Sequence, residues 1–301
     1  MRSRLASRAT EHLLLSLPPE RAHALTLRAL ETGLAPAGAP DPAVLGTTLA
    51  GLRLPNPVGM AAGFAKNGEA ARELFGIGFG FVEVGTVTPR PQPGNPQPRL
   101  FRLPRAEAII NRMGFNSEGH EAVYRRLVRA APDGVLGVNI GANKDSTDFV
   151  ADYVAGVKRF ADVASYLTVN ISSPNTPGLR NLQAREALER LLGEVLATRA
   201  AQPRRVPVFL KLAPDLDEAA MDDIARAVLA TDLDGLIVSN TTVSRDAVAG
   251  LPDADQAGGL SGRPLFNLST RRLAQMRQRV GSLPIIGVGG IHSAASAVDK
   301  F

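Results

Sequence analysis

The stretch YLTVNISSPNTPG, Tyr166–Gly178, begins as a buried β-strand and ends in a cluster of neutral hydrogen-bonding groups. Its first half is rich in aromatic and β-branched residues, which favour strands. Its second half carries Ser173 and Asn175, with prolines on both sides of Asn175. The stretch therefore predicts a strand whose carboxyl end is polar and stiffened, and the rest of the chain repeats this arrangement.

The same short apolar run occurs six more times along the chain. The other runs are NPVGMAAG, GFVEVGT, VLGVNIG, VPVFLKL, DGLIVSN and PIIGVGG. Amphipathic helical stretches separate them: Glu69–Phe75, Glu118–Ala130, Phe149–Val163, Ala184–Ala200, Asp217–Thr231 and Leu268–Val280. Nearly continuous apolar strands that alternate with helices indicate a parallel sheet covered by helices. Seven such strands in succession favour an α/β fold, the (β/α)8 TIM barrel, over a doubly wound sheet.

We expect residues 46–301 to form one barrel domain and residues 1–45 to form a helical hairpin and linker. The rhythm stops after the seventh strand, in HSAASAVDKF, so the final strand and helix of the barrel are expected to be missing from this chain. The first 30 residues contain five arginines and two glutamates. A solvated helix face is one interpretation of this bias, and a surface that meets anionic lipid is the other.

Composition excludes several classes of site. The chain has 301 residues, 45% of them hydrophobic, and no cysteine, which rules out disulfides, thiolate metal sites and a cysteine base. The net charge of +5 is carried by dispersed basic residues, aromatic residues make up only 5%, and a nucleic-acid groove is not expected. No histidine falls at a strand end near Ser173, and no cluster has metal-ligand spacing, so neither a Ser–His–Asp triad nor a metal site is predicted.

The ends of the predicted strands are unusually polar. They carry Lys66, Asn67, Thr86, Asn139, Asn143, Lys144, Asn170, Ser173, Lys211, Ser239, Asn240 and Thr241. Asparagine and serine also favour turns, which is the alternative explanation for any one of them. Several amides at one barrel mouth suggest a ligand that alternates donors and acceptors, such as an amide or ureide ring. Only five of the 34 basic residues are lysines, and three of these lie at strand ends, so a functional role is favoured for Lys66 and Lys211 and left open for Lys144.

Two loops add to this picture. GVGGI follows the seventh strand and GGLSGRPL precedes it, and glycines in this position allow backbone N–H groups to approach a phosphate. The loop after the second strand, TPRPQPGNPQPRLFRLPRAEAIINRMGFNSEG, is far longer than the usual ~4–6 residues and predicts a lid or binding loop.

Nine motifs in order identify a family. They are NPVGMAAGFAKNGEA, EVGTVTPRPQPGNPQPRLFRL, INRMGFNSEG, VNIGANK, VNISSPNTPGLR, FLKLAPDL, SNTT, GGLSGRPL and PIIGVGGI. Together with PERAH near the N-terminus they resemble the dihydroorotate dehydrogenases, in particular class 2, the quinone-dependent and membrane-associated form. The resemblance implies an FMN enzyme that oxidises dihydroorotate to orotate in pyrimidine synthesis, with Ser173 as the base. It covers nearly the whole chain.

The resemblance also implies the other site residues. The substrate set is Lys66, Asn111, Arg112, Met113, Gly114, Phe115, Asn170, Asn175, Asn240 and Thr241. The flavin set is Ala62, Gly63, Phe64, Ala65, Lys66, Thr86, Asn139, Asn170, Lys211, Ser239, Gly262 and Gly290. His23 and Arg102 are expected near the inner end of a quinone entrance formed by the N-terminal helices. The implied protein is a monomer, attached peripherally to the cytoplasmic face of the cell membrane, or to the mitochondrial inner membrane in a eukaryote.

This sequence departs from the family pattern at three places. Ala65 stands where the family usually has aspartate, and Ser239 replaces a common threonine. The chain also ends before the family's final strand and its tyrosine-containing flavin-phosphate segment, which predicts an open barrel that retains FMN poorly. Two alternatives remain: a related FMN barrel reductase, which would typically use a cysteine acid, and a flavin-free truncated barrel that only binds a partner.

Overall fold

A curled sheet of seven parallel strands forms the centre of the molecule. The computed structural model describes residues 13–34 and 37–301. Its strands are β1 Thr47–Leu49, β2 Leu52–Leu54, β3 Gly59–Met60, β4 Phe81–Val87, β5 Leu100–Leu103, β6 Ala108–Asn111, β7 Val135–Ile140, β8 Tyr166–Asn170, β9 Val208–Leu212, β10 Gly235–Val238, β11 Gly259–Gly262 and β12 Ile285–Gly287. The central sheet has the order β12-β10-β9-β8-β7-β4-β3. All seven predicted strands are therefore confirmed, and β3 and β12 lie at the two edges of the sheet.

Helices follow the strands and cover the outer face of the sheet. They are α1 Pro19–Glu31, α2 Ala71–Ile77, α3 His120–Ala130, α4 Phe149–Phe160, α5 Arg185–Ala200, α6 Glu218–Leu229, α7 Phe266–Val280 and α8 Ala294–Val298. The six predicted barrel helices are confirmed, with ends that differ by up to three residues. Asp148 and Asp217 cap α4 and α6 by accepting hydrogen bonds from Ala151 N and Ala220 N, which explains where these helices begin.

The core lies between the sheet and the helices. Strands β4, β8, β9 and β10 are buried along their whole length, because both of their faces are covered. Leu27 and Leu30 of α1 belong to the same hydrophobic cluster as the barrel strands. The second predicted N-terminal helix therefore exists and packs on the barrel. Residues 13–16 are helical, and the rest of the first predicted N-terminal helix lies outside the described residues.

The long loop after β4 folds into regular structure. Strands β5 and β6 form an antiparallel hairpin, and β11 pairs with β6 to complete a three-stranded sheet. This small sheet brings the loop preceding the seventh barrel strand against the loop that follows the second. Within the described part of the chain, no helix is long and apolar enough to cross a membrane.

Candidate active site

A cavity of about 600 Å³ lies at the carboxyl ends of the central strands, enclosed on one side by the β5–β6–β11 sheet. It collects twenty of the 23 residues expected from the sequence. These are Ser173, Lys66, Asn111, Met113, Gly114, Phe115, Asn170, Asn175, Asn240, Thr241, Ala62, Gly63, Phe64, Thr86, Lys211, Ser239, Gly262, Gly290, His23 and Arg102. They come from parts of the chain as far apart as α1 and the turn after β12, so the parallel sheet is what assembles them.

Three expected residues do not line the cavity. Ala65 is fully buried, and its carbonyl accepts a hydrogen bond from Gly85 N. Arg112 turns outward, lies over the ring of Phe101 and donates to Gln256 Oε1. Asn139 is fully buried behind the cavity lining, where its Oδ1 accepts a hydrogen bond from Thr86 Oγ1. The structure therefore places these three side chains outside the lining of the cavity.

Side-chain amides form a connected network at the floor of the cavity. Asn170 Nδ2 donates to Thr86 Oγ1 at 2.9 Å and to Asn139 Oδ1 at 3.2 Å, and Thr86 Oγ1 donates to Asn139 Oδ1 at 2.6 Å. Asn240 Nδ2 donates to Asn170 Oδ1 at 3.3 Å. Each of these buried or half-buried groups has a partner, so the orientation of each amide is determined by its neighbours. The floor is therefore rigid and presents fixed donors and acceptors to a ligand.

A buried carboxylate that sequence reasoning missed sets this orientation. Glu83, in β4, accepts hydrogen bonds from Asn139 Nδ2 at 2.8 Å, Thr168 Oγ1 at 2.9 Å and Tyr166 OH at 3.1 Å. Because the amide nitrogen of Asn139 donates its hydrogen bond to Glu83, the amide oxygen of Asn139 must face Thr86 and Asn170. The signal was present in the sequence as a single charged residue within the apolar run GFVEVGT.

Two lysines face the cavity with perturbed acidity. Burial, with a smaller contribution from the nearby Arg99, lowers the pKa of Lys66 from 10.5 to about 8. Burial also lowers the pKa of Lys211, and the carboxylate of Glu83 opposes this effect. Among the described residues, neither ammonium has a carboxylate within salt-bridge distance. A buried ammonium without an ion-pair partner is costly in a folded protein, and an anionic ligand would relieve that cost.

Ser173 lies at the wall of the same cavity and is 5% exposed. Its Oγ accepts a hydrogen bond from Asn175 N at 3.2 Å, which holds the turn between the two prolines. The hydroxyl of Thr176 is buried beside this turn and has no hydrogen-bond partner among the described residues. The three histidines of the described residues make other contacts: His120 packs on Phe160, His292 contacts Gly290 O, and His23 contacts Phe64 O. None of them has a hydrogen bond to Ser173.

The other end of the cavity reaches α1. His23 Nε2 is 2.8 Å from Phe64 O. Arg102 Nη1 donates to the carbonyls of Leu15 and Leu17, at 3.0 and 2.8 Å, so this guanidinium ties the start of the described chain to β5. The cavity thus runs from the barrel mouth to the inner side of the N-terminal helix.

The residues present fit FMN. The cavity volume is in the range of small-molecule sites, ~300–1,000 Å³. At Gly290, where φ is +73°, an added Cβ would lie 2.5 Å from Phe266 N at the start of α7, so the turn after β12 packs directly on a helix N-terminus. Such an N-terminus is a suitable site for a phosphate, and Lys211 can face an electron-rich ring. Among the described residues no group of His, Asp and Glu could hold a metal ion.

Comparisons with known proteins agree with this geometry. The family model described as dihydroorotate dehydrogenase matches residues 44–301. Two curated relatives are named dihydroorotate dehydrogenase (quinone). The protein from Allorhizobium ampelinum is 62% identical, over 93% of this chain and 79% of its own length. The protein from Rhizobium etli is 61% identical, over 94% of this chain and 80% of its own length.

A solved structure gives the same result for the fold. The dihydroorotate dehydrogenase of Eimeria tenella, crystallised with ferulenol, superimposes with a TM-score of 0.91 at 40% sequence identity. The superposition covers 97% of this chain and 85% of the Eimeria chain. The TIM-barrel class predicted from the alternation of strands and helices is thereby confirmed as the TIM-barrel-like fold of these enzymes. From its sequence, its fold and the residues that its cavity assembles, the chain belongs to the dihydroorotate dehydrogenase family.

Proposed function

We propose that this protein oxidises dihydroorotate to orotate with FMN as its cofactor and a membrane quinone as the electron acceptor, in pyrimidine biosynthesis. The observation that carries the proposal is the single cavity that joins Ser173, the amides of Asn170, Asn175 and Asn240, and the ammonium groups of Lys66 and Lys211. The names of the relatives support the same reaction.

Ser173 is the base of the reaction. The oxidation removes two hydrogens from adjacent ring carbons, one as a proton and one as a hydride with its electron pair. Ser173 Oγ takes the proton, and the turn fixed by Asn175 N and the two prolines holds this oxygen in place. FMN, when bound, would supply the acceptor for the hydride. Because none of the described histidines contacts Ser173, the proton leaves through water or through the buried hydroxyl of Thr176.

The remaining site residues bind and orient. The substrate ring alternates N–H and C=O groups, and amide side chains can complement both. Asn175 and Asn111 already contact each other, with 3.1 Å between Asn175 Nδ2 and Asn111 O, so they act as one surface. Lys66 faces the substrate carboxylate, and Lys211 stabilises negative charge on the reduced cofactor.

The N-terminal extension, residues 1–45, serves the membrane and the quinone. Its described part exposes Leu13, Leu15, Leu25 and Leu34, and α1 also exposes Arg21 and Arg28. Apolar side chains beside arginines suit the surface of an anionic membrane. His23 and Arg102 line the inner end of the cavity, where a quinone would arrive. We propose peripheral attachment to the cytoplasmic face of the cell membrane, or to the mitochondrial inner membrane in a eukaryote, as a monomer that binds no nucleic acid.

An absorption spectrum followed by anaerobic addition of dihydroorotate tests the proposal. After loading with FMN the protein should be yellow, and its flavin band should bleach with dihydroorotate and recover with a quinone. A yellow protein that dihydroorotate does not bleach would contradict the substrate assignment. A colourless protein that gains no flavin band when FMN is added would instead favour the flavin-free barrel.

A further inference from the structure

An ion pair connects the N-terminal helix to the loop beside the substrate residues. Glu20, the acidic residue of the PERAH motif in α1, accepts a hydrogen bond from Arg99 Nε at 2.5 Å. Its second oxygen accepts from Gln97 Nε2. The side chains of Arg99 and Glu20 are only 12% and 24% exposed, so solvent screens this pair less than a surface pair.

Arg99 uses its remaining donors on the loop between β4 and β5. Its Nη1 donates to Pro93 O at 2.6 Å and to Asn95 O at 2.9 Å. One guanidinium therefore binds the carboxylate of α1 and two loop carbonyls together. The donors of a guanidinium lie in one plane at fixed positions, so Arg99 cannot move away from Glu20 without changing its hydrogen bonds to the two loop carbonyls.

Asn95 connects this loop to the residues expected to bind the substrate. Asn95 Nδ2 donates to Arg112 O at 2.9 Å and to Asn175 O at 3.4 Å, and Asn95 N donates to Met113 O at 2.9 Å. A Cβ added at Gly114 would lie 2.7 Å from the Asn95 side chain, so the two segments are in close contact. Lys144 Nζ donates to Asn95 Oδ1 at 3.1 Å, which fixes the orientation of the amide.

We infer that Glu20, Arg99 and Asn95 are positioning residues for the substrate, which rests on the function proposed above. The ion pair between α1 and the loop that precedes β5 holds residues 93–95 against Arg112, Met113 and Asn175, and so sets the affinity of the cavity for dihydroorotate and orotate. The N-terminal helix, which serves the quinone, thereby also shapes the substrate side of the cavity.

The electrostatics of Lys66 support this connection. Burial is the largest cause of the lowered pKa of Lys66. The positive charge of Arg99 lowers this pKa further, while the charges of Glu69 and Glu20 raise it. Glu20 and Arg99 are thus close enough to act on the ammonium that faces the substrate carboxylate.

Equilibrium binding of orotate to the flavin-loaded full chain, measured by calorimetry, tests the inference. The variants are Glu20→Ala, Arg99→Gln, the double variant and Asn95→Ala. The matched control is Glu31→Ala, which removes an exposed carboxylate from the end of the same helix. Steady-state kinetics with varied quinone is measured in parallel, because a helix that only anchors the quinone entrance would change the quinone KM and leave orotate binding unchanged.

We expect Glu20→Ala and Asn95→Ala to weaken orotate binding about tenfold, the loss typical of a charge-assisted or buried hydrogen bond. Glu31→Ala should stay within about twofold of the parent. The double variant should bind no more weakly than Arg99→Gln alone, because both changes break one interaction. Asn95 lies in the loop and not in α1, so Asn95→Ala still tests the positioning role if the Glu20 and Arg99 variants lose flavin.

Two outcomes separate the inference from the function beneath it. If the parent binds orotate and Glu20→Ala and Asn95→Ala bind it equally well, the positioning role is refuted and the proposed function stands. If the flavin-loaded parent itself binds no orotate, the proposed function is refuted and the inference fails with it.

Discussion

Replacing Lys66 with methionine should stabilise the flavin-free protein at neutral pH while it removes the contact to the substrate carboxylate. The ammonium of Lys66 is half-buried, and burial lowers its pKa from 10.5 to about 8. At ~1.36 kcal/mol per pH unit, this difference corresponds to about 3 kcal/mol of cost for holding the charge in the folded protein. Solvent reaches part of the side chain, so the expected gain in the free energy of unfolding is ~1–3 kcal/mol. Methionine keeps most of the length and carries no charge.

The gain has a characteristic pH dependence. Below pH 8 the lysine is charged in both the folded and the unfolded protein, so the free energy of unfolding is lowered by the full cost of burying this charge. Between about pH 8 and 10.5 the folded protein has released a proton that the unfolded chain retains, and stability then rises with pH. The advantage of the methionine variant should therefore be largest at pH 7 and small at pH 10.

Urea unfolding of the flavin-free parent and variant at pH 7 and pH 10 measures this difference. Lys158→Met, at an exposed position of α4, is the matched control and should show no such pH-dependent gain. A methionine variant that is no more stable than the parent at pH 7, or equally favoured at both pH values, would refute the reasoning about Lys66.

Three further predictions concern the reaction. Ser173→Ala should lower the rate of flavin reduction by dihydroorotate ~10²–10⁴-fold, the usual contribution of a general base, with flavin binding intact; reduction at the parental rate would mean that another group is the base. Deleting Met1 to Leu34 should spare flavin reduction at saturating dihydroorotate but impair reoxidation by long-chain quinones, and unchanged quinone kinetics with unchanged liposome binding would exclude this role. The flavin-reduction rate at saturating substrate should climb from neutral into alkaline pH in stopped-flow experiments, since none of the described histidines contacts Ser173. A level profile anchored near the histidine pKa of ~6.5 would show that the base is misassigned.

The loop after β4 shows where prediction from the sequence reached its limit. Its length and prolines indicated a binding loop, but its pairing of β6 with β11 depends on a segment about 150 residues away in the chain. No local pattern specifies such a partner, because cross-strand pairing depends on which faces the rest of the fold leaves available. For the same reason the outward direction of Arg112, over Phe101, was not foreseen.

The sequence by itself determined the architecture and most of the cavity residues. Apolar strands that recur between amphipathic helices leave few topologies that bury them all, and parallel strands bring their polar carboxyl ends to one edge. Only the tertiary structure decided how those residues act on one another. Three side chains from other strands donate hydrogen bonds to Glu83, and one of them is Asn139, behind the cavity wall. Hydrogen bonds also connect Glu20 through Arg99 to Asn95. Both sets join residues that are far apart in sequence. Hydrogen bonds need partners within about 3 Å and in defined directions, and such distances exist only once the chain has folded.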